Sequence, residues 1–353
     1  MDFIFNILSC IISRWLFSLR KGSLLILAAG LAAYLLYIFL YVGFGNIYYL
    51  LLKLDPRFFL LSILFLIASI VLHGFAWYLL LGGSFGRGYR AIAATVIGLF
   101  ASYMIPVGAV SEVIRFYIVT RFLGFGVVKA ISSIFIHRVC ITVSPIVAIA
   151  ALLLYSGGSV PAMERMAFAT IIVVYISAIV SPNIIALGFI GTGIFERLVR
   201  RFEGYIERIL GQRLGDLRGE YRSSMGEMLR SWRGLAAFIA SLAEWIFLVL
   251  SMYSIFMALE LRRDLVYAVF SILLIQILWW ILPISFGGSI GITDLIASIA
   301  YQILGFGTGV SATIALLYRL SSLTALLVLL YPSIKILGLY PGEFRRYMSS
   351  SKY

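Results

Sequence analysis

The chain has 353 residues, of which 62% are hydrophobic and only 12% are charged. Soluble domains have a charged share of about 25%, so this composition excludes a soluble globular fold and indicates a polytopic α-helical membrane protein. The net charge of +13 is explained by basic residues that collect on the cytoplasmic side of a membrane protein, and we predict no nucleic-acid partner.

Residues 1–21 begin the chain as a predicted amphipathic helix that lies along the membrane interface. Arg14 interrupts their apolar run, and they have neither a basic start nor a small-residue cleavage site, which disfavours a cleaved secretory signal. Six later segments are long enough to cross about 30 Å of hydrocarbon as helices. These predicted spans are 22–44, 58–81, 131–154, 166–190, 234–258 and 311–331.

Two further apolar regions, 91–126 and 265–305, are interrupted by proline and glycine. A helix broken at membrane depth is tolerated only where protein or a water-filled cavity surrounds it. We therefore predict that each region is a re-entrant hairpin, which enters and leaves the membrane on the same side. The predicted hinge or gate residues are Pro106, Gly108, Pro283, Gly287, Gly288 and Gly291.

The distribution of basic residues supports this layout. With the N-terminus in the cytoplasm, 21 of the 28 Lys and Arg residues lie inside and five lie outside, a strong positive-inside bias. The C-terminal tail, 336–353, is then also cytoplasmic. The cytoplasmic loop 195–233 carries nine arginines and six acids, and its apolar residues recur at helical spacing. We predict a surface helix there, with a docking site for a cytoplasmic partner as the alternative.

The segments 58–154 and 234–331 form an internal repeat. Leu-Gly-Phe-Gly occurs at residues 123 and 304, and an arginine follows fifteen residues later in both copies, at Arg138 and Arg319. In the predicted layout the two hairpins enter from opposite sides. The predicted fold is therefore an all-α polytopic membrane protein, residues 22–335, with six full spans plus two re-entrant broken-helix hairpins in an inverted-topology repeat. Secondary transporters are commonly built in this way, with the substrate site at the repeat interface.

Six charged residues lie in or beside segments at membrane depth, where an arginine or aspartate costs about 2.5–3.5 kcal/mol. We interpret them as headgroup-binding residues, because the planar guanidinium can donate two hydrogen bonds to one phosphate. The alternative is structural: Glu112 pairs with Arg115, and Asp294 pairs with Arg319 or Arg138. The six residues are Glu112, Arg115, Arg138, Glu244, Asp294 and Arg319.

His73 and His137 lie on apolar helices and are candidates for a proton relay, with ordinary packed histidines as the alternative. The two cysteines, Cys10 and Cys140, are far apart, and no Cys/His spacing suits a metal. No Walker-A, GxSxG or HExxH motif is present either. We therefore predict no metal, no cofactor and no catalytic residue.

The blocks PVGAVSEVIRFYIVTRFLGFGVVKAISSIFIHR and PISFGGSIGITDLIASIAYQILGFGTGVSATIALLYR resemble the transmembrane region of lysylphosphatidylglycerol synthase and its flippase-like bacterial and archaeal relatives. The family pattern, a proline–glycine break followed by an acidic or arginine position and an arginine-bearing helix, occurs twice. Its positions are matched by Pro106, Glu112, Arg115 and Arg138, and by Pro283, Gly287, Gly288, Gly291 and Arg319. Asp294 stands where the family usually has glutamate, and the glycine turn has one extra residue.

The sequence has no counterpart of the soluble aminoacyl-transferase domain of the full-length synthases. The resemblance therefore implies the lipid-translocating half of that activity, in a prokaryotic plasma membrane with membrane lipids as partners. The lipid implied is anionic or zwitterionic, such as an aminoacylated phospholipid or a lipid-linked sugar. The alternatives are a membrane-embedded transferase or accessory protein in polyprenyl-phosphate glycan assembly, and a small-solute secondary transporter. A homo-oligomer is also left open.

Overall fold

The computed structural model describes residues 28–82, 88–104, 110–156, 162–190, 197, 201, 217–261, 263–281 and 291–338. All regular elements in these ranges are helices, in agreement with the predicted all-α class. In chain order they are α1 (Ala28–Val42), α2 (Phe44–Leu52), α3 (Pro56–Leu81), α4 (Gly88–Met104), α5 (Val110–Phe122), α6 (Val127–Ser156), α7 (Ala162–Tyr175, the π-helical turn Ile176–Val180 and Ser181–Ile190), α8 (Leu217–Arg230), α9 (Trp232–Ala258), α10 (Leu265–Ile281), α11 (Ile292–Ile303) and α12 (Thr308–Leu337).

Five of these helices are long and apolar enough to cross a membrane, namely α3, α6, α7, α9 and α12. Each contains most of a predicted span. The first predicted span is less simple, because α1 and α2 meet at an angle of 88° at Gly43, and the pair is either one broken span or a re-entrant loop. The part of the chain with described coordinates therefore supports five or six spans.

Helices α4, α5, α10 and α11 have only 12–17 residues each, and they occupy the two regions predicted as hairpins. The breaks between them, 105–109 and 282–290, lie outside the described residues. The predicted hinge residues Pro106, Gly108, Pro283, Gly287 and Gly288 fall in these breaks. The re-entrant topology and the inversion of the repeat remain predictions.

Helices α3 and α9 pack along each other, and α12 packs against both α3 and α4. Local sequence sets the starts of α3 and α9. Asp55 caps α3 by accepting the Arg57 N–H at 2.8 Å, and Ser231 caps α9 by accepting the Gly234 N–H at 3.3 Å.

Three buried serines join α3, α9 and α12, with 2.8 Å between the hydroxyls of Ser62 and Ser251 and 3.4 Å between those of Ser62 and Ser321. Small hydroxyl residues of this kind let helices approach closely in lipid.

Both LGFG sequences form the same helix–turn–helix connection. Gly124 and Gly305 have left-handed φ angles of 68° and 81° and end α5 and α11, as glycine commonly does at a helix C-terminus. The following phenylalanine, Phe125 or Phe306, is buried and bonds back to its helix through its N–H. The next helix begins two residues later, so Arg138 and Arg319 are each the twelfth residue of their helix. The repeated tetrapeptide therefore sets the register of both arginines.

The contact between α3 and α4 depends on Gly74, where a Cβ atom would lie 2.8 Å from the Ile92 Cα. We expect Gly74→Ala to push the two helices apart and to cost about 1–3 kcal/mol, as overpacking typically does. The matched control is Gly188→Ala on α7, where an added Cβ would have nothing within 4 Å. Thermal unfolding in detergent should show a lower midpoint for Gly74→Ala alone. Equal midpoints for both variants would contradict the close packing.

Candidate functional site

Four titratable side chains from four helices meet in what we call the histidine cluster: His73, Arg115, His137 and Glu244. Arg115 lies 3.5 Å from the Nε2 of His73 through Nη1 and 3.1 Å from the Nδ1 of His137 through Nη2. His73 Nδ1 is in turn 2.8 Å from a carboxylate oxygen of Glu244. Because arginine only donates, the imidazole nitrogen of each histidine that faces it acts as an acceptor.

Aromatic packing holds Arg115 in place. Its guanidinium carbon lies 4.1 Å from the ring centroid of Trp77, and the indole N–H of Trp77 donates to the hydroxyl of Ser133 at 3.0 Å. Cation–π contacts of this kind strengthen when they are desolvated, and both Arg115 and Trp77 are fully buried. The rings of His73 and His137 meet edge to face at 4.5 Å beside them.

Arg138 lies next to this cluster and forms an ion pair with Glu112, with 2.5 Å between Nη2 and Oε1. Both side chains remain about one-fifth exposed. The i, i+3 spacing of Glu112 and Arg115 had suggested an ion pair within α5, but Arg115 extends to the histidines instead. Glu112 therefore pairs across to α6.

Several buried polar atoms of this region have no hydrogen-bond partner among the described residues. They belong to both carboxylates, to the arginine of the cluster and to one histidine: Glu112 Oε2, Glu244 Oε2, Arg115 Nε and His137 Nε2. Buried polar groups are nearly always hydrogen-bonded, so an unpaired group is costly in this setting. Both acceptors and donors are available here for a polar ligand.

A second cluster, the Asp294 cluster, lies where α11 meets α12. Arg319 Nε donates to Asp294 Oδ1 at 2.9 Å, and its Nη2 donates to the hydroxyl of Thr293 at 2.6 Å. The other carboxylate oxygen of Asp294 accepts the Gly291 N–H at 2.9 Å, at the start of α11. The Arg319 guanidinium carbon is 5.3 Å from the ring centroid of Tyr103 on α4. The Asp294 side chain thus both caps its helix and balances the arginine.

A small cavity of about 20 Å³ opens beside this pair, which is enough for roughly one water molecule. Its lining combines the ion pair with aromatic and apolar side chains of α4, α10, α11 and α12. The residues that line it include Tyr103, Ile275, Asp294, Tyr301, Tyr318 and Arg319. The cavity is too small for a lipid headgroup in the conformation described.

Helix α4 contacts both clusters. A Cβ atom on Gly98 would lie 3.2 Å from the side-chain Cγ of Arg115, while Tyr103 lies over Arg319. These two positions are five residues apart, or about 7.5 Å along a helix axis. The two charged clusters therefore lie on either side of one short helix.

A metal ion would compete with Arg115 in the histidine cluster. His73, His137 and Glu244 offer ligand atoms that all lie within 4.8 Å of one another, a set that suits zinc. However, the guanidinium bonds to both imidazoles and would repel a divalent cation. The described arrangement is therefore an arginine site, and it becomes a metal-ligand set only if Arg115 is displaced.

The structure places the six predicted headgroup residues in two groups: Glu112, Arg115, Arg138 and Glu244 in or beside the histidine cluster, and Asp294 and Arg319 in the other. Gly291 begins α11 with a φ of 91°, and a Cβ atom there would overlap the backbone of Gly30. Three contacts were not predicted, those of Trp77, Tyr103 and Thr293. Of these three residues, only Thr293 could have been found from the sequence, because it is adjacent to Asp294.

These features define an integral membrane protein of helical type, with two charged clusters buried between its helices. The family model described as the lysylphosphatidylglycerol synthase TM region matches residues 22–330. The chain belongs to this family, as its sequence resemblance predicted. No curated protein and no solved structure matches the chain significantly.

The two ion pairs should differ in their contribution to stability. Asp294 and Arg319 are each about 10% exposed, about half the exposure of Glu112 and Arg138. We expect Asp294→Asn to cost about 3 kcal/mol, because it leaves a buried arginine without its counter-ion. Glu112→Gln should cost less, and Glu227→Gln on the exposed face of α8 should change nothing. Thermal unfolding in detergent would contradict this order if Glu112→Gln were the most destabilising.

Removing Arg115 should convert the histidine cluster into a metal site. We expect the Arg115→Gln variant to bind about one Zn²⁺ through both histidines and Glu244, while the parent protein binds none at that position. Isothermal titration of the detergent-solubilised variants with Zn²⁺ measures this. The control is Arg115→Gln combined with His137→Ala, which should lose the site. Zinc binding by the parent that disappears in His137→Ala would contradict the proposed competition.

Proposed function

We propose that this protein translocates a lipid with an anionic or zwitterionic headgroup from one membrane leaflet to the other. Membership of the lysylphosphatidylglycerol synthase TM family relates the chain to lipid handling. In the proposed mechanism Arg138, Arg319 and Arg115 hold the headgroup phosphate. Glu112 and Asp294 hold its cationic or hydroxyl part.

One observation carries this proposal: the two arginines have equivalent positions and equivalent partners. Each is the twelfth residue of the helix that follows an LGFG turn, and each pairs with a carboxylate from the preceding short helix. Arginine binds carboxylate and phosphate with the same planar donor geometry. A phosphate can therefore replace the carboxylate without leaving the arginine uncompensated, and the displaced acid becomes available to a cation or hydroxyl.

The surroundings of the first pair support the entry of a headgroup. Glu112 and Arg138 are more exposed than the second pair, and unpaired donors and acceptors lie beside them. Glu244 lies behind these groups, where it is paired with His73. A polar headgroup that binds here gains hydrogen bonds that the protein alone leaves unmade.

We further propose that the two units, 58–154 and 234–331, are inverted repeats whose hairpins open the clusters alternately to either face. The glycine and proline residues of the two breaks serve as hinges in this scheme. Helix α4 supports it because it lies between the two clusters. The membrane is a prokaryotic plasma membrane, with both termini in the cytoplasm, and the lipids of its two leaflets are the substrates.

Lipid translocation can be measured in proteoliposomes that contain a fluorescent phospholipid, with a membrane-impermeant reductant that bleaches only the outer leaflet. We expect Arg138→Gln and Arg319→Gln each to slow translocation at least tenfold, since the headgroup loses a phosphate ligand. Arg57→Gln, at the exposed start of α3, is the control and should match the parent. Parent-like rates for both cluster variants would refute the mechanism.

A charge exchange separates a headgroup contact from a merely structural ion pair. The double variant Glu112→Arg with Arg138→Glu keeps two opposite charges in contact, but it moves the guanidinium to α5. If the pair is only structural, the exchanged protein should translocate lipid at the parent rate. We expect it to remain folded, with a parent-like elution profile in detergent, and to translocate at the rate of Arg138→Gln.

A further inference from the structure

Two basic side chains converge where α3 ends. Gly82 terminates α3 in the left-handed conformation. A Cβ atom there would lie 3.0 Å from Nη1 of Arg233 and 3.5 Å from Nζ of Lys129. The two cationic nitrogens are therefore no more than 6.5 Å apart, the sum of those distances.

This arrangement is electrostatically unfavourable by itself. Lys129 is in the first turn of α6 and Arg233 in the first turn of α9, where the positive end of each helix dipole disfavours a cation. Both side chains are half-buried, and in the described part of the chain neither has an acidic partner or donates a hydrogen bond. The negative end of α3 offsets part of the repulsion. Two cations and two positive helix ends nevertheless remain at one corner, which favours an anion there.

The corner also adjoins a lipid-facing surface. Trp232 is 70% exposed, and it begins a stripe of exposed apolar residues along one face of α9 that continues through Leu235, Ile239 and Ile246. Their spacing of three, four and seven residues keeps them on the same side of the helix. Tryptophan is enriched where a helix enters the hydrocarbon, so Trp232 marks the level of the headgroups. The Arg233 guanidinium carbon is 5.9 Å from its ring centroid.

Helix α8 packs beside the corner. Met225 and Met228 of α8 belong to the same hydrophobic cluster as Leu80 at the end of α3 and Ile136 of α6. The close turn from α8 into α9 requires glycine at position 234, because a Cβ atom there would overlap the Met228 carbonyl oxygen. The three helices that bring Gly82, Lys129 and Arg233 together are therefore held in one packed unit.

We propose that Lys129 and Arg233 bind the phosphate of an anionic phospholipid at the membrane surface, with an acyl chain of that lipid along the stripe that begins at Trp232. Charge complementarity selects the anion, and the adjoining apolar stripe selects a lipid over free phosphate. The site is separate from the histidine and Asp294 clusters. It holds whether or not the protein translocates lipid.

Native mass spectrometry of the detergent-solubilised protein tests this site. Phosphatidylglycerol and phosphatidylcholine with identical acyl chains are added at equal concentration. We expect the parent to bind one more phosphatidylglycerol than phosphatidylcholine. The Lys129→Gln/Arg233→Gln double variant should lose that excess and keep its phosphatidylcholine adducts, which report an intact fold.

The matched control is Arg222→Gln/Arg230→Gln, which removes the same charge from the exposed face of α8 and should keep the excess. If this control lost the excess of phosphatidylglycerol to the same extent, the effect would arise from overall charge, and the proposal would be overturned. The proposal would also be overturned if the Lys129→Gln/Arg233→Gln variant kept the excess of phosphatidylglycerol, or if the parent showed no such excess. Loss of the excess on addition of equimolar inorganic phosphate would show a free-anion site and would overturn the lipid assignment.

A second pair of variants tests the same site without removing a cation. Aspartate and asparagine tolerate the left-handed conformation of Gly82 better than other residues do. Gly82→Asp places a carboxylate between the two cations, whereas Gly82→Asn has the same shape without the charge. We expect the excess of phosphatidylglycerol to disappear in Gly82→Asp and to persist in Gly82→Asn. The same stoichiometry in both variants would overturn the proposal.

Discussion

The neutralisation of charge within hydrocarbon is the constraint on which the rest of this structure depends. A single uncompensated arginine at membrane depth costs several kcal/mol, so each one must find a partner on another helix. Arg138 and Arg319 lie on long spans, and their carboxylates lie near the start of the short helices α5 and α11. These ion pairs therefore bind each short helix to the long helix that follows it. The left-handed glycines of the LGFG turns make that return possible, because they reverse the chain immediately after α5 and α11.

The two ion pairs use the same plan but differ in how completely their polar atoms are satisfied. Arg319 has hydrogen bonds to Asp294 and Thr293, and the second oxygen of Asp294 is engaged by the helix start. The region of Glu112 and Arg138 retains unpaired donors and acceptors. A saturated pair resists exchange of its partner because every bond must be replaced, whereas an unsaturated pair gains bonds when a ligand binds. The described conformation thus combines a saturated cluster with a less saturated one.

Sequence reasoning predicted the helical class and the family, and five of its six predicted spans correspond to long apolar helices, because periodicity and hydropathy are visible along the chain. It predicted the pairing only in part: Asp294 with Arg319 was one of its alternatives, whereas Glu112 with Arg138 was not. The spacing of Glu112 and Arg115 favours a contact along one helix face, yet Arg115 crosses to His73 and His137 and stacks on Trp77. That preference is worth only about 0.2–0.5 kcal/mol along a helix surface, far less than the desolvation of four buried groups. Such contacts between distant segments depend on tertiary packing, which no local pattern specifies.

The depth of the clusters follows from helix geometry. Arg138 and Arg319 are eleven residues beyond the first residues of α6 and α12, or about 17 Å along each axis at 1.5 Å per residue. Glu244 is twelve residues beyond Trp232, about 18 Å, on a different helix. Half the thickness of a hydrocarbon core is about 15 Å, so helices that cross the membrane place all three residues near its middle. A charged group at that depth is equally far from water on both sides. In the proposed mechanism, a headgroup that binds there would have completed half of its crossing, and the same arginines would release it towards either leaflet.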